Sequence, residues 1–148
     1  MKKLPVSDSS FETIITHDLL YADKTAYICE MIKPSTTCCF LSRPRRFGKT
    51  LLLDTIERLF LGHRELFKGL WIASEEANYD FKKHPVIRLS MAYSEMGSPD
   101  ELKKRIKNNL LSIADKEEVK ITEDSYGEIL GQLIQGLSKK HGAKPRPS

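Results

Sequence analysis

The stretch "CCFLSRPRRFGKT", Cys38–Thr50, decides how this chain is read. Thr37–Ser42 is a short apolar, β-rich run bounded by turn residues, the form of a strand buried on both faces. A basic loop follows, and Gly48-Lys49-Thr50 then opens "GKTLLLDTIERLFLG", which has helical periodicity. Leu51, Leu52, Ile56, Leu59 and Phe60 make a broad apolar stripe, Leu53 extends it, and Gly62 ends it, so a well-buried helix is expected. Strand, loop and helix in this order are the setting in which Gly-Lys-Thr cradles phosphate. The full pattern, G-x-x-x-x-G-K-[ST], asks for glycine at position 43, where this chain has Arg43. Much of the physics survives that difference. Amides at the helix start still point outward, Lys49 still reaches terminal phosphates, and the Thr50 hydroxyl still suits a magnesium ion. Pro44 removes one N–H donor but stiffens the turn. On these residues alone a second reading stays open: a basic surface turn before a helix, with Lys49 solvated.

Working outward, "FETIITH" is a short amphipathic segment preceded by the turn residues Asp8, Ser9 and Ser10. A helix is expected from near Asp23, its N-cap, to Pro34. "HRELFKGLWIASEEANYDFKKH" reads as a short helix and an irregular connection. Val86–Met91 is the second strand candidate, preceded by Pro85. Ser98, Pro99 and Glu101 spell a helix start with a capping box, and a last amphipathic helix runs from Asp124 or Ser125 to Gly142. The expected architecture is therefore α/β: a parallel sheet with flanking helices, incomplete because two strands do not make one.

The chain has 148 residues, 40% hydrophobic and 30% charged, the composition of a soluble globular domain. No apolar run is long enough to span a bilayer, and the N-terminus lacks a signal peptide's apolar core, so a cytoplasmic protein is expected. Cys29, Cys38 and Cys39 form no spaced framework and read as buried, reduced thiols. The net charge of +4 permits an anionic ligand without demanding one. The four histidines are scattered, and the basic run Lys103–Lys107 reads as the wet face of a helix.

"YADKT" (Tyr21–Thr25), "FLSRPRRFGKTLLLDTI" (Phe40–Ile56), "ELFKGLWI" (Glu65–Ile72) and "HPVIRLSM" (His84–Met91), in this order and spacing, resemble the AAA-ATPase-like family. Members of that P-loop NTPase family often carry a PD-(D/E)XK-nuclease-like domain further along. The resemblance covers most of the chain, with residues 1–142 as the N-terminal part of such a domain and 143–148 as a tail. It implies that Arg46, Phe47, Gly48, Lys49 and Thr50 hold the phosphates of ATP and that Thr50 is a ligand of Mg2+. It implies further that Tyr21, Asp23 and Lys24 lie near the nucleotide base, although Asp23 also reads simply as a helix cap. In the family, the last helix leads into a strand ending in the Asp-Glu Walker B carboxylates. Here "LSKKHG" runs into "AKPRPS", and no apolar run followed by Asp-Glu occurs. An N-terminal fragment that binds ATP without hydrolysing it alone is therefore expected, with no catalytic residue of its own. The alternative is a basic interaction module whose RPRR loop contacts nucleic acid or a protein partner. That module needs aromatic residues among the charges for stacking, and only Phe47 offers one.

Overall fold

Ser10 sets the first helix, α1, Phe11–Thr16: its Oγ accepts the Thr13 N–H at 3.1 Å. This computed structural model describes residues 2–5, 10–33, 38–44, 46–89 and 98–142. Helix α2, Thr25–Met31, is capped from one residue further out than an ordinary N-cap. Lys24 holds the cap position, and Asp23 Oδ1 accepts the Thr25 N–H at 2.8 Å. Helix α3, Lys49–Phe60, begins at Gly48, whose φ of 73° is left-handed. Two short 3-10 turns, Arg64–Phe67 and Trp71–Ala73, fill the connection read as irregular. Helix α4, Pro99–Lys116, starts as the capping residues predict, with Ser98 Oγ accepting the Glu101 N–H at 3.3 Å. Helix α5, Tyr126–His141, ends at Gly142 with φ 61°. Its N-cap is Ser125, while Asp124 instead meets Lys107.

The chain forms two compact units, Met1–His84 and Pro85–Pro147. The first is built around Phe11, Ile28, Leu59, Phe67 and Ile72, all fully buried. Phe11 is its aromatic centre: ring centroids lie 4.9 Å from Phe67 and 5.2 Å from Tyr21, the latter edge-on. Gly62 turns the chain out of α3, and a Cβ there would stand 3.0 Å from the Phe81 carbonyl oxygen and 2.7 Å from the Lys83 side chain at Cγ. The second unit is a helical hairpin. Leu110 and Ala114 of α4 meet Ile129, Leu133 and Leu137 of α5, and Ile87 and Leu89 pack against them from an extended segment.

The expected parallel sheet is not there. Among the described residues no strand forms, and the α/β reading, a P-loop NTPase sheet with flanking helices, is replaced by a helical architecture. An extended run becomes a strand only when a neighbour takes up its N–H and C=O groups. The described part of the first run, Cys38–Ser42, has no ladder partner, and Cys38, Cys39 and Phe40 are exposed, Phe40 by 90%. The two thiols read as buried are therefore open to solvent, whereas Cys29 is half-buried in α2. The described part of the second run, Val86–Leu89, alternates as a strand would but spends that alternation on the hairpin, Ile87 and Leu89 inward and Arg88 outward. Thr37, Ser90 and Met91 lie outside the described residues. Leu53 is a second correction: it is 56% exposed, while Asp54 and Thr55 beside it are buried.

Candidate functional site

The loop before α3 owes its shape to two left-handed residues. Arg46 has φ 66° and Gly48 has φ 73°, with Phe47 between them not in that region. Alternation of this kind turns successive backbone N–H groups toward one side, the arrangement of an anion-binding nest. Glycine at 48 costs nothing in that conformation, and a Cβ there would meet nothing within 4 Å. Lys49, the first residue of α3, folds its ammonium back over the loop, donating to the carbonyl oxygens of Arg43 and, at 3.2 Å, Pro44. Both acceptors are neutral. Neither compensates the charge of the ammonium, which a phosphate oxygen would do. Arg43, Arg46, Phe47, Gly48 and Thr50 are exposed. The segment Arg43–Thr50 contains no carboxylate, and its amides, ammonium, guanidinium groups and Thr50 hydroxyl form a donor set suited to an anion of high charge. Among the described residues no group of three His, Cys, Asp or Glu side chains gathers as a metal site.

Tyr21 and Asp23 have hydrogen-bond partners outside the loop. Asp23 Oδ1 accepts from the Thr25 N–H and, at 2.7 Å, the Thr25 hydroxyl, while Oδ2 accepts from the Trp71 N–H at 2.7 Å. Thr25 Oγ1 in turn accepts the Ile72 N–H at 3.1 Å. This staple pins the start of α2 to the turn at Trp71–Ala73. Burial pulls the Asp23 carboxyl upward, but its bonds from Trp71 N, Thr25 N and the Thr25 hydroxyl outweigh that and hold its pKa below the ordinary carboxylate value. The Tyr21 hydroxyl stands 3.4 Å from Thr55 Oγ1. Burial raises its pKa, the Thr55 hydrogen bond lowers it, and the Asp23 charge adds to the rise. Both side chains thus serve packing contacts within the first unit. Sequence reasoning missed Asp54 and Thr55, which are buried on the helix that carries Lys49 and Thr50.

With this geometry in view, the chain can be set beside known proteins. A family model described as "Predicted AAA-ATPase", AAA-ATPase-like, matches residues 5–145. The chain belongs to the AAA-ATPase-like family. It is also 35% identical, over 136 residues, to an uncharacterized protein in the vnfD 5′ region of Azotobacter chroococcum mcd 1. That match takes in 90% of this chain and 26% of the relative, so the chain spans about a quarter of the relative's length. No solved structure matches.

Proposed function

We propose that this chain is the phosphate-binding portion of a nucleotide-dependent AAA-ATPase-like protein and that its ligand is MgATP. The observation that carries the reading is the Lys49 ammonium, folded over a loop of alternating handedness at the start of a helix of 12 residues. Lys49 would meet the terminal phosphates. The amides around Gly48 and the Arg46 guanidinium would hold the rest of the chain of phosphates, and Phe47 would lie beside them. The Thr50 hydroxyl would give the magnesium ion one ligand. Bound nucleotide supplies the phosphoryl group and the metal. What this chain supplies is capture and charge neutralisation, and no hydrolytic carboxylate is assigned to it. Tyr21 and Asp23, spent on Thr55 and Trp71, take no part in gripping the base in this reading. A cytoplasmic setting belongs to the same reading, supported by three cysteines that are all free thiols.

The test is a titration of the chain with a fluorescent ATP analogue and magnesium, beside a single-stranded oligonucleotide at two salt concentrations. Saturable ATP binding that Lys49→Ala abolishes, with an unchanged circular dichroism spectrum, is the expected result. Thr50→Ala should lose the dependence on magnesium. ATP binding that survives Lys49→Ala refutes the assignment. The interaction-module reading draws on one observation of its own: Phe40 and Phe47, 90% and 63% exposed, flank the loop arginines. Oligonucleotide binding that falls steeply with salt, without ATP binding, would establish that reading instead.

A further inference from the structure

Asp54 and Thr55 are 9% and 0% exposed on a helix whose stripe otherwise buries leucine and isoleucine. Residues four apart share one row of a helix. Thr50, Asp54 and Arg58 therefore lie on a single row running back from the loop. That row faces the start of α1 at two points: Asp54 Oδ2 accepts the Phe11 N–H at 2.7 Å, and the Arg58 guanidinium lies 3.3 Å from the Glu12 carboxylate. On the adjoining row Thr55 Oγ1 donates to the Leu51 carbonyl at 2.8 Å and stands 3.4 Å from the Tyr21 hydroxyl.

We infer that Asp54 is a positioning residue for the phosphate-binding end of α3, an inference that rests on the reading of the loop given above. Apolar packing is non-directional, and a helix seated on leucines alone can roll by small increments at little cost. A short, charge-assisted bond from a buried carboxylate to a backbone N–H is directional, and it fixes the roll. Asp54 is one turn from Thr50 and five residues from Lys49, so a roll at Asp54 reaches the loop undiminished. A side-chain atom about 5 Å from the helix axis moves roughly 1.7 Å when the helix turns by about 20°. That displacement is enough to part a hydroxyl from a magnesium ion or an ammonium from a phosphate oxygen. The Arg58–Glu12 pair acts on the same row and in the same sense, more weakly because Glu12 is solvated.

The test measures MgATP affinity in the parent, Asp54→Asn, Asp54→Ala and Glu12→Ala, at a temperature where circular dichroism shows each variant fully folded. A residue that only stabilises the fold leaves affinity unchanged under that condition. Asn keeps an oxygen that accepts the Phe11 N–H and should bind within about twofold of the parent. Ala loses the bond and should bind about tenfold more weakly, the scale on which supporting-shell groups act. Glu12→Ala should weaken binding by about two- to threefold. Asp54→Ala binding as tightly as the parent overturns the inference and leaves the phosphate reading intact. Should Asp54→Ala fail to fold, Glu12→Ala decides, since Glu12 is exposed and its truncation leaves the core residues in place, and unaltered affinity there overturns the inference too. A parent that binds no nucleotide refutes the phosphate reading, and this inference falls with it.

Discussion

Replacing Thr25 by Val removes one oxygen from the first unit and changes almost nothing in shape. Thr25 is fully buried, its Oγ1 donates to Asp23 at 2.7 Å, and the same oxygen accepts the N–H of Ile72, itself fully buried. In Thr25→Val the Ile72 N–H loses that acceptor in a place water does not reach. Stranding a buried donor costs about 1–3 kcal/mol. The bond to Asp23 adds less than its charge suggests, because that carboxylate is exposed and can take up water. The extra apolar surface of Val returns a little under ~1 kcal/mol. The balance is a loss of about 2 kcal/mol, which for a unit of this size lowers the melting temperature by roughly 8–16 °C. Trp71, the only tryptophan, sits on the staple itself, so its fluorescence reports the melting of this unit selectively. Thr25→Ser keeps Oγ1 and should cost about 1 kcal/mol through the lost methyl group. If Thr25→Val melts within about 2 °C of the parent, or above Thr25→Ser, the staple does not hold the unit as described.

Two further outcomes follow from the same physics. The Asp23 carboxyl titrates below its ordinary value in the folded chain, so its contribution is complete above that value and is lost as pH falls through the lower, folded one. The stability difference between the parent and Asp23→Asn, from chemical denaturation followed by Trp71 fluorescence, should be flat from neutrality down to about pH 5 and shrink below about pH 4. A difference that grows on acidification contradicts this assignment. In α5, two glycines should answer oppositely to alanine. A Cβ on Gly131 meets nothing within 4 Å, and Gly131→Ala should stabilise the hairpin by up to ~1 kcal/mol in a far-UV melt. A Cβ on Gly136 would stand 3.0 Å from Val119 Cγ2 and closer still to Cγ1, so Gly136→Ala should destabilise by about 1 kcal/mol despite the same gain in propensity.

Helix ends were legible in the sequence because their determinants are local. Ser10, Ser98, Gly62 and Gly142 act through bonds or dihedrals within a few residues of themselves. Strands were not legible, because a strand depends on a partner that its own sequence does not specify. "TTCCFL" and "PVIRL" have strand-like composition, and extended segments with that composition form no ladder here among the described residues. The buried face of α3 was misjudged by about one residue of rotation. Counting apolar residues placed Leu53 inside, whereas Asp54 and Thr55 take that position with polar partners in α1 and at Tyr21. The available signal was the spacing of Thr50, Asp54 and Arg58, four residues apart, together with an acidic and a basic residue, Glu12 and Arg58, free to pair across helices. Asp23 was readable as a helix cap from its neighbours, but its bond to Trp71, 48 residues on, was not.

Arg46 holds a left-handed backbone, φ 66°, that a β-carbon makes costly by roughly 1–2 kcal/mol and that glycine adopts freely. The loop thus places a residue poorly suited to the bend at the point where a guanidinium can overhang it. Shape and charge in this loop are consequently separable by one substitution: Arg46→Gly would retain the curvature and even relax it, while deleting the cation. A redesign aimed at a firmer scaffold would select that change at once. Asp18, Asn78, Phe81 and Glu118 also hold positive φ, so the fold carries such strain elsewhere, and at position 46 the substitution parts the cation from the curvature without disturbing either α3 or its core.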